Sequence, residues 1–461
     1  RKVLIIVENL PVPFDTRVWQ EATTLVENGY GVSVICPKGK GYDKDYEYLQ
    51  GVHIYRHQLP REGNGAWGYA REYYCALRDE YHLAKKIFKE RGFHVIHGCN
   101  PPDDIYLVAK PFKKHGVDYV FDHHDAIDII GNMDDTESDL ARTLLGTAWS
   151  IRSICYYNLM QRYCEPYQPE TAKETLGLPL VDDFDMEAKP ARANLKETAE
   201  FIEEGFRKAL SYNVSNEDFI FTSSVTKAYY ARFFFWTQNW SNAITYAKEE
   251  AINQKQAKAH NVIIRSFTMD DDIGTMSYAT AQADIKSRPV DRNLVDLFAA
   301  TDNDVRRRCN YDSKRIVNKI ITTKFRSEEL CLIIAEAHAH LNQETDALGY
   351  LNQLRSKRIT QNYIAYTIDN LPEVFQQNIK TDATGIPLTK LMSAILCERR
   401  KELFVEGDRW FELKRNGRPE FWVAAKGKKF ITEKYLYTFP IPKADIRLFP
   451  DLLIQNPGYI E

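Results

Sequence analysis

Several signals that would assign a function directly are missing from this sequence. Its 461 residues include eight cysteines, but no two of them form a CxxC pair and no histidine cluster has metal-ligand spacing. We therefore predict neither a metal site nor a cofactor. Lys and Arg total 61 against 64 Asp and Glu, and this balance argues against nucleic-acid binding. No window approaches the ~20 apolar residues that a membrane-spanning helix needs.

The composition is typical of a folded protein. Apolar residues make up 44% of the chain and charged residues 27%, so a sizeable core can form. The length suggests about two or three domains. Two halves of the sequence follow different patterns, and we predict domains over residues 1–125 and 126–461.

In residues 1–125, short apolar runs alternate with longer amphipathic stretches. The predicted strands are Lys2–Val7, Gly31–Cys36, Val52–Arg56, His94–Gly98 and Val117–Phe121, and the predicted helices are Asp15–Asn28, Trp67–Arg91 and Pro102–His115. Strands that alternate with helices form parallel sheets covered on both faces. We predict a five-stranded parallel α/β domain, with ligands at the carboxyl ends of its strands.

Five candidate binding residues lie at these strand ends. Arg17 follows the first strand, His97 and Asn100 accompany the fourth, and His123 and Asp125 follow the fifth. Such side chains suit acid–base chemistry or hydrogen bonds to sugar hydroxyls. For Arg17, a structural surface charge is the competing interpretation.

After residue 125 the pattern becomes helical. Ala231 and Ala243 are twelve residues apart, and so are Ala335 and Ala347. Small residues at this spacing let consecutive helices pack closely, as in tetratricopeptide (TPR) repeats. We predict a mostly helical, TPR-like domain without strands.

Aromatic residues of the helical half are candidates for stacking on sugar rings. Trp236 and Trp240 flank the turn of a predicted helix pair, and Tyr278 lies in an irregular polar segment. For the two tryptophans, packing within the helix pair is the competing interpretation.

The segment ERRKELFVEGDRW carries closely spaced charges. Glu398, Glu402 and Glu406 recur at every fourth residue, a spacing that allows pairing with cations of neighbouring turns and helices. We predict an at least partly buried structural network here, with Arg399, Arg400, Lys401 and Arg409 as partners, and no catalytic carboxylate.

Residues 1–125 resemble the N-terminal domain of family-4 glycosyltransferases, which contain two Rossmann-like domains. The similarity lies in KVLIIVEN, FDTRVWQEATTLVENGYGVSVICPKG, FHVIHGCNPPDD and YVFDHHD. It implies a Rossmann-like domain whose strand-end residues form an acceptor-type cleft. The family's donor domain carries an E-x7-E pair, but here that spacing falls in helical segments at Glu328/Glu336 and Glu398/Glu406. No donor site is therefore predicted.

Residues 126–461 resemble the SusD/RagB family. The similarity lies in ERRKELFVEGDRWFELKRNG (Glu398–Gly417), in LYTFPIPKADIRLFPDLLIQNPGY (Leu436–Tyr459) and in the helical segment Arg326–Arg358. The resemblance implies a non-enzymatic outer-membrane lipoprotein that binds a glycan or another nutrient outside the cell. It also implies a TonB-dependent transporter as partner.

These resemblances together predict a glycan-binding, SusD-like protein of an outer-membrane uptake system that carries a partial glycosyltransferase domain. The alternative function is transfer of a sugar from a nucleotide-sugar donor, with a cytoplasmic location. No signal peptide or lipid-anchor cysteine is recognisable in the sequence, although the SusD resemblance implies both. Because the two families act in different compartments, the sequence also fits a chimera.

Overall fold

A computed structural model describes residues 1–8, 10–58, 66–99, 105–122, 138–181, 191–216, 221–253, 262–266, 278–298, 303–320, 323–375, 378–425, 427–443, 446 and 452–459. The chain separates into two compact units, Arg1–Ala126 and Ile127–Glu461. Each unit contains its own clusters of buried apolar side chains.

A six-stranded sheet forms the centre of the first unit. Its strands are β1 (Lys2–Val7), β2 (Gly31–Pro37), β3 (Tyr46–Leu49), β4 (Val52–His57), β5 (Val95–Cys99) and β6 (Asp118–Asp122), in the order β3-β4-β2-β1-β5-β6. The five predicted strands are present and pair in parallel. β3 was not predicted: it pairs antiparallel with β4 and makes the sheet mixed. Its side chains are mostly exposed, so no buried apolar run marks it in the sequence.

Helices cover both faces of this sheet. Because successive side chains of a strand point to opposite faces, the apolar run of β1 contributes to the core on each side. Ile5 belongs to the apolar cluster under α1 (Thr16–Glu27). Ile6 belongs to the cluster on the other face, under α2 (Ala66–Glu90) and α3 (Tyr106–Ala109). The predicted helical cover is therefore confirmed, and the third predicted helix continues beyond α3 as a 3-10 helix over Lys110–His115.

The second unit is mostly helical. Its helices are α4 (Asp139–Tyr163), α5 (Leu195–Ser211), α6 (Ser223–Trp236), α7 (Trp240–Asn253), α8 (Tyr278–Lys286), α9 (Arg292–Val295), α10 (Val305–Asn310), α11 (Ser327–His340), α12 (Glu344–Ser356), α13 (Lys390–Glu402) and α14 (Arg409–Arg415). α4 packs on α5 and α6 on α7, while α11 contacts α7, α12 and α13. Ala231, Ala243, Ala335 and Ala347 are all 0% exposed, so the paired helices approach closely there. Among the described residues, no helix combines the length and apolar character needed to cross a membrane.

The described residues of this unit also form three two-stranded antiparallel sheets, so the prediction that it lacks strands was wrong. The pairs are β7 (Leu176–Pro179) with β8 (Arg192–Asn194), β9 (Val262–Ser266) with β10 (Thr323–Arg326), and β11 (Phe421–Ala425) with β12 (Lys428–Thr432). Each strand has only three to five residues. Runs this short do not establish a period-two pattern.

Hydrogen bonds hold the C-terminal tail against the end of α4. Asn456 Nδ2 donates hydrogen bonds to the carbonyls of Tyr163 (2.8 Å) and Phe439 (2.7 Å). Tyr459 Oη donates to the carbonyl of Thr438 at 2.8 Å. Prolines interrupt the tail and disfavour a helix there, and these contacts show how such a segment is held in place.

Gly146 allows α4 to contact the segment that follows α5. A Cβ there would lie 2.4 Å from Val214 Cγ2 and 3.0 Å from Tyr212 Cβ. We expect Gly146→Ala to lower the free energy of unfolding by about 1–2 kcal/mol, because overpacking costs ~1–3 kcal/mol and the better helix propensity of alanine offsets only part of it. Gly349→Ala on α12 is the control, since nothing lies within 4 Å of its added Cβ. Urea unfolding measures both variants, and equal stabilities would contradict the close packing at Gly146.

Candidate functional site

A buried charge network lies at the C-terminal end of α13. Glu398 and Glu402 are one turn apart on this helix, Glu406 follows it, and all three are buried. Glu402 accepts hydrogen bonds from Arg326 Nη1 at 3.0 Å and from Arg358 Nη2 at 2.9 Å. Arg326 also donates two hydrogen bonds of 3.0 Å to Glu406. The network is thus present and buried, as predicted. Of the predicted partners, Lys401 pairs with Glu398, whereas Arg399 pairs with Glu329 and Asp408, and Arg409 pairs with Glu412.

Arg306 of α10 links the two glutamates of α13. Its Nη2 donates to Glu398 Oε2 at 2.7 Å and its Nη1 to Glu402 Oε2 at 3.3 Å. Burial alone would raise the pKa of these carboxyls. The neighbouring cations, chiefly Arg306 for Glu398 and Arg358 for Glu402, outweigh burial and hold each pKa at about 2. Both carboxylates are therefore ionised partners in a structural network.

A cavity of about 330 Å³ adjoins this network. Its walls come from α4, α6, β10, the start of α11 and the segment that runs from the end of α13 through α14. The aromatic residues that line it are Tyr157, Tyr229, Phe235, Trp236, Phe325 and Phe411. Phe411 is half-buried and Gly407 is exposed, so solvent reaches the cavity on the α14 side.

Four of these rings, Phe325, Tyr229, Phe235 and Phe411, have an arginine over them, and that of Phe411 is Arg162, 5.4 Å from the ring centre. The guanidinium carbon of Arg232 lies 3.6 Å from the centre of the Phe325 ring, and that of Arg415 lies 4.1 Å from the centre of Phe235. The Trp236 and Phe411 rings meet edge to face, with centroids 6.4 Å apart and planes at 79°. Because Arg162 lies over Phe411, the Trp236 ring of this pair is the aromatic surface that we consider best placed for a ligand.

Five buried polar atoms of the residues that line the cavity have no hydrogen-bond partner among the described residues. They are Trp236 Nε1, Arg399 Nη1, Arg415 Nη1, Arg415 Nη2 and Glu412 Oε1, of which Arg415 Nη1 lies 2.7 Å from Glu336 Oε1. Leaving such a group unsatisfied costs ~1–3 kcal/mol, and unsatisfied groups are rare in folded proteins. Apart from Arg415 Nη1, which faces Glu336, these atoms provide three donors and one acceptor for a ligand rich in hydroxyl groups.

The charges around the cavity balance. Four arginines and four acidic residues line it: Arg162, Arg232, Arg399, Arg415, Glu329, Glu406, Asp408 and Glu412. Arg232 pairs with Glu329, and Arg399 pairs with Asp408. Burial raises the pKa of Glu412 above its ordinary value. This composition gives no net attraction for an anion or a cation.

Of the three aromatic residues predicted to bind glycans, the structure describes the side chains of Trp236 and Trp240, which lie in different surroundings. Trp236 lies on the cavity wall. Trp240 begins α7 and stacks on His340, with ring centroids 4.0 Å apart, so the packing interpretation describes it better. Tyr278 is the first residue of α8, and its side chain lies outside the described part of the structure. Phe411, Arg399 and Arg415 were not predicted as binding residues, because their motif was interpreted as core and charge network.

At the strand ends of the first unit, His97 is the one predicted residue whose side chain is described. Its Nδ1 lies 2.8 Å from Glu21 Oε1 on α1. The side chain of Arg17 and all of Asn100, His123 and Asp125 lie outside the described residues. Their grouping into a cleft stays a prediction.

A buried acidic residue lies under the opposite face of the same sheet. Glu80 of α2 is 0% exposed, and burial together with the nearby charge of Glu8 raises its pKa well above the ordinary value. His57, at the end of β4, places Nε2 3.9 Å from Glu80 Oε1, and burial lowers the pKa of this imidazole. The pair was not predicted, because Glu80 occupies an ordinary polar position in an amphipathic helix sequence.

Comparison with known proteins gives a family match for part of the chain. Residues 306–459 match the family model described as the SusD family. The matched segment begins in α10 and includes the charge network, α14 and the extended tail. No curated protein matches the chain.

Solved structures from Bacteroides species share the fold. A SusD superfamily protein of Bacteroides thetaiotaomicron VPI-5482 is 18% identical, with a TM-score of 0.55 over 72% of this chain and 82% of that one. A SusD superfamily protein of Bacteroides vulgatus ATCC 8482 is 17% identical, with a TM-score of 0.56 over 77% and 83%. A third protein, also from B. vulgatus and ascribed sugar binding, is 18% identical, with a TM-score of 0.55 over 73% and 83%. Identities this low establish a fold and not a ligand: the protein has a SusD-like fold and matches the SusD family model over residues 306–459.

Proposed function

We propose that this protein is a non-enzymatic glycan-binding protein of the SusD type, and that its ligand enters the cavity between α4, α6 and α14. The observation that carries the proposal is the group of unpartnered donors beside the aromatic wall: Trp236 Nε1, Arg399 Nη1 and Arg415 Nη2. Sugar hydroxyls accept hydrogen bonds from such donors, and the apolar face of a sugar ring packs on aromatic rings. The family match supports the proposal, as does the fold shared with a protein ascribed sugar binding.

The ligand we propose is a neutral, short saccharide or the end of a longer one. Acidic and basic side chains around the cavity are equal in number, so a charged sugar would gain no net electrostatic attraction. A volume of about 330 Å³ lies near the lower end of the ~300–1,000 Å³ usual for ligand pockets. Specificity then depends on which hydroxyls reach the three donors and Glu412 Oε1.

Replacing Trp236 tests the site. A glycan array probed with the intact chain identifies the ligand, and calorimetry then compares the wild-type protein with Trp236→Phe. The phenylalanine ring keeps most of the aromatic surface but lacks the indole N–H. Since one hydrogen bond contributes ~1 kcal/mol, we expect roughly fivefold weaker binding with little change in melting temperature.

Trp240→Phe is the matched control, because it makes the same exchange four residues away, outside the cavity. It should leave the affinity unchanged. If Trp236→Phe bound the array-identified glycan as tightly as the wild-type protein did, the ligand would lie elsewhere. If no glycan bound at all, the proposed function itself would be wrong.

Sugar transfer from a nucleotide-sugar donor is the second candidate function. It is favoured by the parallel strands of the first unit, where His97 and Glu21 meet near the end of β5, and by the resemblance of residues 1–125 to an acceptor-type Rossmann-like domain. Calorimetry with UDP- and GDP-sugars separates the two functions. We expect no binding, whereas affinity together with turnover would favour the transferase.

The proposal extends to partner and location. By resemblance, residues 126–461 form a SusD/RagB-like, TPR-like domain that acts with a TonB-dependent transporter at the extracellular face of the outer membrane. The SusD-like fold supports this assignment. Co-purification of such a transporter with the tagged chain from outer-membrane extracts is the corresponding test.

A further inference from the structure

Three side chains with metal-binding atoms converge in the first unit. Glu21, His97 and Cys99 each offer one ligand atom, and these atoms lie within 4.8 Å of one another. His97 and Cys99 are two residues apart on β5, so both face the same side of the sheet. Glu21 comes from α1, which packs on that side through the cluster that contains Cys99. A strand and a helix, both well packed, therefore fix the three groups relative to each other.

We propose that Glu21, His97 and Cys99 form a Zn²⁺ site. Thiolate sulfur, imidazole nitrogen and carboxylate oxygen are the ligands that Zn²⁺ takes in proteins, whereas Mg²⁺ and Ca²⁺ prefer oxygen ligands alone. Zinc–ligand bonds of about 2.0–2.3 Å place tetrahedral ligands roughly 3.3–3.8 Å apart. His97 Nδ1 and Glu21 Oε1 lie 2.8 Å apart, so the partly exposed Glu21 side chain moves away from the imidazole by about half an ångström when the ion enters. Cys99 binds as the thiolate and releases its proton to solvent, while His97 stays neutral with its proton on the nitrogen that does not bind.

The site has an open coordination position. The described residues supply three protein ligands, which leave one position of a tetrahedral zinc ion for water or a ligand oxygen, as in catalytic zinc sites. Cys99 is the last residue of β5, and the carboxyl ends of parallel strands are where α/β sheets bind ligands. The Glu21 side chain is 32% exposed, so the ion is reachable from solvent. This site is independent of the glycan-binding cavity of the second unit and goes beyond the proposed function.

Cobalt substitution tests the site directly. Co²⁺ added to the intact, reduced protein should produce thiolate-to-cobalt charge-transfer absorption and the visible bands of a tetrahedral ion. Competition with a zinc indicator should give one tight Zn²⁺ equivalent per chain. Since loss of groups that only orient a ligand costs ~10–100-fold in affinity, removing a ligand itself through Cys99→Ser or His97→Ala should weaken Zn²⁺ binding by at least about 100-fold.

Cys36→Ser is the matched control, because Cys36 is a buried thiol of the same apolar cluster on β2 and is not part of the metal-binding group. It should bind Zn²⁺ like the wild-type protein. Glu21→Gln tests the site at a partly exposed position, so its result stands even if Cys99→Ser impairs folding; we expect binding at least about tenfold weaker. Absence of charge-transfer absorption in the wild-type protein, or unchanged affinity in Glu21→Gln and His97→Ala, would overturn the proposal.

Discussion

Glu402→Ala should lower the free energy of unfolding of the second unit by about 3–5 kcal/mol. Glu402 is 4% exposed and accepts hydrogen bonds from Arg306, Arg326 and Arg358. Removing one partner of a buried charge network leaves the opposite charges uncompensated, and this typically costs ~3–5 kcal/mol. That is a large part of the ~5–15 kcal/mol by which a domain is usually stable.

The measurement is a melting curve together with a binding assay. Glu402 does not line the cavity, so the variant should melt earlier and still bind the glycan at temperatures where it is folded. Glu200→Ala is the control: Glu200 is an exposed glutamate of α5 paired with Lys196, and surface pairs contribute ~0–1 kcal/mol. A variant that melted normally but no longer bound the glycan would make Glu402 a ligand contact.

As the pH is lowered, the second unit should lose stability at a higher pH than a protein without such a network. Glu336, Glu398 and Glu402 have pKa values of about 2 in the folded chain, against an ordinary value of 4.5. For Glu336, the charge of Arg415 is the main influence that outweighs burial. Because the folded-state pKa values are depressed, the stabilisation is complete above about pH 4.5 and is lost as the pH falls toward 2. On linkage grounds the loss is on the order of 2 kcal/mol per carboxylate by pH 3.

Glu412 contributes to the pH dependence of the unfolding free energy with the opposite sign. Its folded-state pKa is raised by burial, so its protonation on acidification favours the folded state and offsets part of the loss. Urea unfolding at pH 7, 5 and 3 measures the net effect through tryptophan fluorescence, and five of the seven tryptophans lie in the second unit. Glu402→Gln should flatten the pH dependence, because one titrating group is removed. An unfolding free energy that stayed constant from pH 5 to pH 3 would show that the network is not coupled to folding.

The fold was predictable where a single segment contains its own signal. Ile5 and Ile6 lie in a continuous apolar run that alone identifies a buried strand, and Gly29 ends the first helix. Tyr46–Leu49 gives no such signal, because its side chains face solvent and only pairing with β4 makes it a strand. The short sheets of the second unit were missed because strands of three to five residues do not establish a period-two pattern.

The candidate site was less predictable because it depends on contacts between distant segments. Trp236 was identified from its residue type. Arg399 and Arg415 line the cavity only because α13 and α14 pack near α4 and α6 in the folded chain. The cluster of Glu21, His97 and Cys99 joins a helix to a strand far along the chain, so no local spacing reveals it. Sequence patterns identify metal sites when the ligands are neighbours, and here they are neighbours only after folding.

The hydrogen bonds of the charge network join distant segments of the chain, and this restricts which substitutions the protein can accept over evolutionary time. Glu402 accepts hydrogen bonds from cations of three separate segments, Arg306, Arg326 and Arg358. Replacing any one of these residues leaves an opposite charge buried without its partner. A substitution in the network is therefore tolerated only when its partner residues change as well, and such simultaneous changes are rare. Half-buried positions on the cavity rim, such as Asn158 and Arg162, carry no such constraint and can vary one at a time. A lineage built on this scaffold can therefore exchange its ligand repeatedly while the segment around Glu402 keeps its sequence.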